Sequence, residues 1–292
     1  MKRETARGTA TVKELCETFH VSRQAYYAAL RPKAAPVADP PRRRERVGAW
    51  ATSAELVPAI REIVDHNAAW GVRKVWATLR RRGLVVSRKR VWRIMHELNL
   101  VLAPADQREE TTRGHVAVPL SDRRWATDLT TVYTRQDGVV ALVPVVDCGD
   151  RFVLSVGVTK CQEAPSVLAP LTQALREQFG AAENVPDGLE VRTDHGPQYT
   201  STTCDDLCRA WGLEHTLAPP GRPTGNAVAE RLILTLKAEL IWLRDWESAD
   251  ELRRAVEAWR IFYNTERPHQ ALDWATPAER RMAHRANRAE SA

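Results

Sequence analysis

Three acidic residues in the second half of the chain, Asp128, Asp194 and Glu230, have the residue types and the setting of metal ligands. Asp128 follows the start of a strand-like run (WATDLT), Asp194 ends another (LEVRTD), and Glu230 lies one turn inside a helix predicted to begin at Gly225 and Asn226. Mg²⁺ prefers oxygen ligands, and two such ions roughly 4 Å apart stabilise the attacking and leaving oxygens of an in-line phosphoryl transfer. A fold that brings these carboxylates together therefore predicts metal-dependent phosphoryl transfer.

The residues around the three acids extend this pattern. DHGPQYTS begins at Asp194, GNAVAERL surrounds Glu230, Lys237 follows two turns later, and YNTERPHQALDWATPAE spans 263–279. Together with the 35-residue gap between the last two acids, these segments resemble the DDE recombinases. Within that group they resemble the insertion-sequence transposases whose catalytic core is similar to a retroviral integrase. The run over 51–102 resembles the helical DNA-binding module of the same transposases, so the resemblance covers most of the chain.

The resemblance implies a ribonuclease-H-like core with Asp128, Asp194 and Glu230 as catalytic residues and ligands of two Mg²⁺ ions, for which Mn²⁺ can substitute. It implies phosphodiester hydrolysis at the ends of a mobile element, followed by attack of the freed 3′-hydroxyl on target DNA. Such transfer depends on positioning and charge, and it needs no covalent protein–DNA bond. The residues expected to contact DNA in the core are Gln198, Asn226 and Lys237.

The family resemblance also implies protein partners. Two element ends must be cut and joined to one target, so a homo-oligomer of at least two protomers is expected on DNA. The family's two-reading-frame organisation suggests that a separately encoded upstream protein supplies further DNA binding. Two alternatives remain open: a DNA-binding regulator or catalytically decayed copy in which only the helical modules work, and a nuclease that lacks strand transfer.

Charge is unevenly divided along the chain. Residues 1–123 carry a net charge of +11 and residues 124–292 a net charge of −5, within the total of +6. Because Lys and Arg that neutralise phosphates supply most non-specific DNA affinity, the N-terminal part is expected to bind DNA while the acidic core performs the chemistry. There is no run of eighteen apolar residues and no apolar stretch at the N-terminus. A cytoplasmic protein, without membrane association and bound to the nucleoid when on DNA, is expected.

The five cysteines are odd in number and scattered, which favours reduced thiols over a disulfide framework. Cys204 and Cys208 are four residues apart on a predicted helix and could bind a metal. No further His or Cys pair with the spacing of a zinc site is apparent in the sequence, so two buried thiols without metal are the preferred interpretation.

Two helical modules are predicted upstream of the core. Residues 1–32 form a helix-turn-helix-like segment in which Arg23 and Gln24 face a DNA groove, with a plain helical hairpin as the alternative. A Pro/Arg-rich linker follows over 33–52. Residues 53–102 show three apolar stripes at helical period, and Ser87 is the N-cap of the third helix. Trp76 and Trp92 are expected in the core of this module. The residues expected on its DNA-binding surface, for which a solvated basic face is the alternative, are Arg88, Lys89, Arg90 and Arg93.

The fold class is therefore multidomain: all-α helix-turn-helix modules, then an α/β ribonuclease-H-like domain. A linker over 103–123 precedes the core at 124–280, which reads as three strands (RRWATDLTTVYT, GVVALVPVVDCG, RFVLSVGVT) and then alternating helices and strands. A basic disordered tail is expected over 281–292. Asp147 is expected to be a turn residue, Arg267 and His269 to be structural, and Glu239 to have no role in the chemistry.

Overall fold

A computed structural model describes residues 17–18, 50–102, 118–219 and 226–290. The helix-turn-helix-like segment over 1–32, with Arg23 and Gln24, lies outside the described residues apart from Glu17 and Thr18, which are helical. Most of both linkers, 33–49 and 103–117, lies outside them as well. The described part from Trp50 onward belongs to one compact unit. In that part we find no helix with the length and apolar character needed to cross a membrane.

Three helices form the module after Trp50: α1 (Ser53–His66), α2 (Val72–Arg81) and α3 (Arg88–Glu97). α1 begins with a capping box, in which the side chains of Thr52 and Glu55 each accept a hydrogen bond from the other residue's N–H. α3 begins at Ser87, as the sequence predicts, and the Ser87 hydroxyl accepts from the N–H of Arg90. The three predicted stripes supply the core of the module, which includes Leu56, Ile60, Val75, Leu79, Val91 and Met95.

The second domain is built on a mixed sheet of six strands: β1 (Arg124–Thr127), β2 (Thr130–Thr134), β3 (Gly138–Asp147), β4 (Val153–Thr159), β5 (Glu190–Thr193) and β6 (Glu214–Leu217). β3 pairs antiparallel with β4 on one side and with β1 and β2 on the other. β1 is parallel to β5, and β5 is parallel to β6. An antiparallel meander that continues into parallel strands is the ribonuclease-H-like arrangement that the sequence predicts.

The run RRWATDLTTVYT, expected as one strand, is divided at Asp128 and Leu129. β1 and β2 keep the same register on β3, since Thr127 pairs with Val145 and Thr130 with Leu142. This register places Asp128 opposite Pro144, which has no N–H to donate to a ladder. The sheet is therefore interrupted at the position of the first acid.

Helices cover both faces of the sheet: α4 (Ala164–Phe179), α5 (Thr202–Ala210), α6 (Ala227–Glu239), α7 (Ala249–Thr265) and α8 (Pro277–Glu290). Short 3₁₀ turns lie at Ala182–Asn184, Ile241–Leu243 and Gln270–Leu272. Along β3, Val140, Leu142 and Val146 pack in the cluster with α6 and α7, whereas Val143 and Val145 pack with α4 and α5. This strand is a continuous apolar run because both of its faces are buried.

The disordered tail expected over 281–292 is wrong for residues 281–290, which continue helix α8. Arg281 is 4% exposed, and its guanidinium donates to the carboxylates of Asp122, Asp147 and Asp150 at 3.2, 2.9 and 2.8 Å. These buried carboxylates fix the helix, because each needs a cationic donor away from water. Asp147 is therefore the partner of Arg281, which agrees with its expected structural role at the end of β3.

The helical module packs on α6 and α7 through a buried charge cluster around Glu239, the last residue of α6. The Glu239 carboxylate, whose side chain is 7% exposed, accepts from Lys74 Nζ at 2.6 Å, from Arg267 Nη2 at 2.9 Å and from Trp70 Nε1 at 3.2 Å. Trp70 also stacks on Phe262, with the ring centroids 5.8 Å apart. Arg267 is structural, as expected. Glu239 has no hydrogen bond or ion pair with the three acids, and its contacts give it a structural role that the sequence did not predict.

Candidate active site

Asp128 lies in the break between β1 and β2, and its Oδ1 accepts a hydrogen bond from the N–H of Leu129 at 2.8 Å. The pKa of the Asp128 carboxyl is raised to about 6, chiefly by burial. The charges of Asp194 and Glu230 contribute to this rise, while the Leu129 N–H and the charge of Lys237 act against it. The fold therefore brings the three predicted acids and Lys237 into one electrostatic neighbourhood, with Asp128 influenced by both other carboxylates.

Asp194 follows β5 directly, and the parallel pairing of β5 with β1 explains its position. Ala126 pairs with Arg192, so extending the register by two residues places Asp194 beside Asp128. The Asp194 Oδ1 accepts from the N–H of Gly196 at 2.9 Å. A Cβ at position 196 would lie 3.0 Å from that oxygen, so a larger residue would push the Asp194 carboxylate by a few tenths of an ångström.

In both aspartates one carboxylate oxygen is used for orientation and the other is available. Oδ1 of Asp128 and Oδ1 of Asp194 accept local backbone N–H groups, and within the described residues neither Oδ2 receives a protein hydrogen bond. Glu230 is exposed on the first turn of α6. The ligand oxygens of the three acids do not all lie within 4.8 Å of one another.

Asn226 joins the helix of Glu230 to the strand of Asp128. It is the N-cap residue of α6, and its carbonyl accepts from the N–H of Glu230 at 3.1 Å. Its Nδ2 donates to the carbonyl of Thr127 at 3.0 Å, and the residue is 5% exposed. The expectation that Asn226 contacts DNA is therefore wrong, because the side chain is buried between the two elements that carry the acids.

Two positioning groups were missed from the sequence. The hydroxyl of Thr127 lies 3.4 Å from the phenolic oxygen of the buried Tyr199. This contact links the residue before Asp128 to the loop after Asp194. Thr193, also buried, donates its hydroxyl to the carbonyl of Asp194 at 3.0 Å. A signal for both was present, because each aspartate is preceded by a threonine in a TD pair.

The other predicted site residues lie on the surface in two places. Gln198 donates to the carbonyl of Gln162 at 3.0 Å, in the loop after Asp194. On α3, Arg90 turns back to bind Ala51 O and Ser53 Oγ at 2.7 and 3.1 Å. One exposed face of α3, with residues at i, i+1, i+4, i+5 and i+8, holds Arg88, Lys89, Trp92, Arg93 and His96.

Trp92 was expected in the core of the helical module, and this is wrong. The side chain is 46% exposed and stacks on His96, with ring centroids 5.1 Å apart. It lies next to the third apolar stripe, which is completed by Val91, Ile94 and Met95. Trp76, in contrast, is partly buried and donates its indole N–H to the carbonyl of Val86 at 3.0 Å.

Comparison with protein families divides the chain in the same way. An HTH-like domain matches residues 52–108, and two integrase core domain models match residues 119–223 and 211–277. The chain is 28% identical to a transposase for insertion sequence element IS629 of Shigella sonnei, over 94% of this chain and 93% of the relative. It is 30% identical to a putative transposase for insertion sequence element IS986/IS6110 of Mycobacterium tuberculosis, over 86% of this chain and 93% of the relative.

A third relative, the transposase InsD for insertion element IS2 of Escherichia coli, is 29% identical over 77% of each chain. The matches to these relatives span the helical module and the integrase core together.

Proposed function

Because the chain belongs to the insertion-sequence transposases with an integrase-like catalytic core, it is a DDE-type polynucleotidyl transferase, and we propose that Asp128, Asp194 and Glu230 are its catalytic residues. The observation that carries this assignment is the electrostatic coupling of Asp128 to both other acids. Three carboxylates in one place, with Lys237 as the nearby cation, form an oxygen-rich and negatively charged site of the kind that divalent cations occupy.

The same acids are proposed to hold two Mg²⁺ ions, for which Mn²⁺ can substitute. The donor set fits, because it consists of carboxylates and each aspartate has one oxygen with no protein partner among the described residues. When bound, the ions supply positive charge at the attacking and leaving oxygens. Asp128 and Asp194 lie at adjacent strand ends, and Glu230 approaches from α6. Lys237, whose charge acts on Asp128, is proposed to pair with a DNA phosphate.

DNA binding is proposed for the exposed face of α3. Arg88, Lys89 and Arg93 place positive charge on one side of the helix, and Trp92 adds an apolar surface between them. This is the arrangement by which a recognition helix meets phosphates and base edges. The uneven charge supports the same division: DNA binding upstream of residue 124, where the net charge is positive, and chemistry downstream.

Assembly is the remaining part of the proposal. Two element ends must be processed together, so we expect at least two protomers on DNA, and dilution below the assembly concentration should abolish coupled joining of two ends. Association with a separately encoded upstream DNA-binding protein is proposed on the family resemblance alone.

The catalytic assignment is tested by Glu230→Gln, which keeps the shape of the side chain and removes its charge. End cleavage and joining of a pre-cut end should both fall by more than the roughly 10- to 100-fold that loss of an outer partner of a metal ligand costs. Asp128→Asn and Asp194→Asn should behave alike. The matched control is Glu183→Gln, an exposed residue in the turn before β5.

Full strand transfer by Glu230→Gln would overturn the assignment. Wild-type protein that binds element ends but never cleaves them in Mg²⁺ or Mn²⁺ would indicate the decayed copy or regulator. Cleavage without joining of a pre-cut end would indicate a nuclease.

The DNA-binding assignment is tested with the double variant Arg88→Ala and Lys89→Ala. Each lost phosphate contact should reduce the slope of log affinity against log salt by about 0.9. The control, Arg61→Ala with Arg80→Ala, removes the same charge from exposed positions on α1 and α2 and should leave the slope nearly unchanged. An equal effect of both variants would show that the α3 face has no special role.

A further inference from the structure

We propose that Cys204, Cys208 and His215 form a second metal site in the catalytic core, which binds a thiophilic divalent cation, Zn²⁺, rather than Mg²⁺. Their ligand atoms all lie within 4.8 Å of one another, and among the described residues they are the one group of three metal-capable side chains this close. Tetrahedral zinc with Zn–S of about 2.3 Å and Zn–N of about 2.0–2.1 Å places its ligands about 3.5–3.8 Å apart. A shift of about 1 Å therefore completes the site.

The local fold explains how the three residues meet. Cys204 and Cys208 are one turn apart on α5, so both thiols lie on the same face. The chain then turns at Gly212, which has a φ of +63°, and returns along β6, where His215 is the second residue. The third ligand was overlooked in the sequence because the spacing of six residues between Cys208 and His215 is not that of a zinc motif.

One hydrogen bond of His215 suits metal binding. The Thr193 hydroxyl oxygen lies 3.0 Å from the carbonyl oxygen of Asp194 and 3.0 Å from His215 Nε2. When the hydroxyl donates to that carbonyl, its oxygen accepts from the Nε2–H of His215, and Nδ1 keeps its lone pair for a metal. An imidazole whose other nitrogen donates to a protein oxygen is the usual arrangement for a metal-binding histidine. Burial also lowers the pKa of His215, which favours the neutral ring.

The ligand set determines which ion is bound. Two thiols and one imidazole are soft to intermediate ligands, which select zinc over magnesium. Cys204 and Cys208 are both buried, and their thiols share a hydrogen bond when no metal is present. Two thiolates neutralise one Zn²⁺. The exposed Asp205, whose charge acts on all three groups, or a water molecule can complete the coordination.

The proposed zinc site lies close to the strand that carries Asp194. The metal would join α5 to β6, and the His215 to Thr193 bond would extend this link to the end of β5, immediately before Asp194. Occupancy should therefore stabilise the strand end that carries the second acid, while Mg²⁺ binds elsewhere.

The test uses the full chain, stripped of metal, and titrates it with Co²⁺, which reports thiolate ligands by a charge-transfer absorption. We expect one Co²⁺ per chain with this band, displacement by Zn²⁺, and no displacement by excess Mg²⁺. Cys208→Ala and His215→Gln should each weaken Zn²⁺ binding by at least about 10- to 100-fold. Cys148→Ala, at a buried thiol elsewhere, and Cys161→Ser, at an exposed thiol, are the controls and should bind normally.

A second measurement covers the case in which a variant fails to fold. In the wild-type chain, Zn²⁺ should protect Cys204 and Cys208, but not Cys161, from alkylation mapped by mass spectrometry. No thiolate band in the wild type, a band that survives in both variants, or no protection of the two thiols would overturn the proposal.

Discussion

Replacing Glu239 by Gln should destabilise the protein strongly, although the residue takes no part in the chemistry. The substitution keeps the side-chain shape but removes the charge that faces Lys74, Arg267 and the indole N–H of Trp70. The new amide also turns an NH₂ group toward these donors. Two cations and a buried N–H would then share a site with one neutral acceptor.

The size of the effect follows from the burial of the partners. The side chains of Arg267 and Glu239 are 8% and 7% exposed, and removing one partner of such a buried pair costs about 3–5 kcal/mol. Lys74 contributes less, because burial and the charge of Arg267 lower its pKa despite its contact with Glu239. With about 2–4 °C per kcal/mol for domains of this size class, the melting temperature should fall by about 6–20 °C.

The pH dependence of stability provides a second test of the role of the Glu239 charge. Burial alone would raise the pKa of Glu239, but the hydrogen bonds and charges of Arg267 and Lys74 bring it below its ordinary value. A carboxyl with a depressed folded pKa stabilises the protein above its unfolded pKa and loses this contribution as the pH falls through the folded pKa. The difference between the wild type and Glu239→Gln should therefore be largest near neutral pH and should disappear in acid.

Thermal and urea unfolding of the full chain, at neutral and acidic pH, measures both effects. Glu183→Gln, the same change at an exposed position, is the control and should melt like the wild type. If Glu239→Gln melted within error of Glu183→Gln at neutral pH, the ion cluster would not hold the helical module on α6, and the packing described for Trp70 would have to be wrong.

Two further predictions concern other buried charges. The Asp128 carboxyl has a pKa raised to about 6, so protons compete with Mg²⁺ for this carboxylate below that pH. Adding Mg²⁺ should therefore raise the melting temperature more at pH 8 than at pH 5.5. In Asp128→Asn, Mg²⁺ should cause no rise. In the metal-free protein the raised pKa means that stability falls as pH rises between about 4 and 6, and a wild type with no such fall relative to Asp128→Asn would contradict this. Arg281→Met should cost about 3–5 kcal/mol in urea unfolding, because three buried carboxylates lose their partner, whereas the exposed Arg285→Met should cost less than about 1 kcal/mol. Equal midpoints for the two Arg variants would show that α8 does not depend on that pairing.

The strands were predictable because local patterns determine them: strand alternation and turn residues define the meander. The meeting of the acids was implied by the family resemblance, and the structure explains it by the parallel pairing that places the ends of β1 and β5 side by side. Residues that end such strands, Asp128 and Asp194, must then meet. Glu230 is fixed by the helix start at Asn226, which is a local feature of the sequence as well.

The buried charges were not predictable, because their partners are distant in sequence. Glu239 meets Lys74 165 residues away, and Arg281 meets Asp150 131 residues away. In the sequence Glu239 looks like a solvated residue on a helix, and Arg281 looks like part of a disordered basic tail. Trp92 is the converse: it borders an apolar stripe, yet no element of the described chain covers it. Helix propensity and the period of apolar residues describe a single helix, whereas the burial of these residues depends on which other elements pack against that helix.

The way the acids are held explains why such a site can wait for metal without collapsing. Burial is the main cause of the raised pKa of Asp128, and repulsion from the charges of Asp194 and Glu230 adds to it. Neutral contacts orient the two aspartates: Asn226 Nδ2 donates to the carbonyl of Thr127, the Tyr199 hydroxyl contacts the Thr127 hydroxyl, and the N–H of Gly196 donates to the Asp194 carboxylate. None of these contacts supplies a cation, and the charge of Lys237 offsets only part of the negative charge. The free energy of that repulsion is released when a divalent ion binds, so the same strain that destabilises the metal-free site increases its affinity for metal.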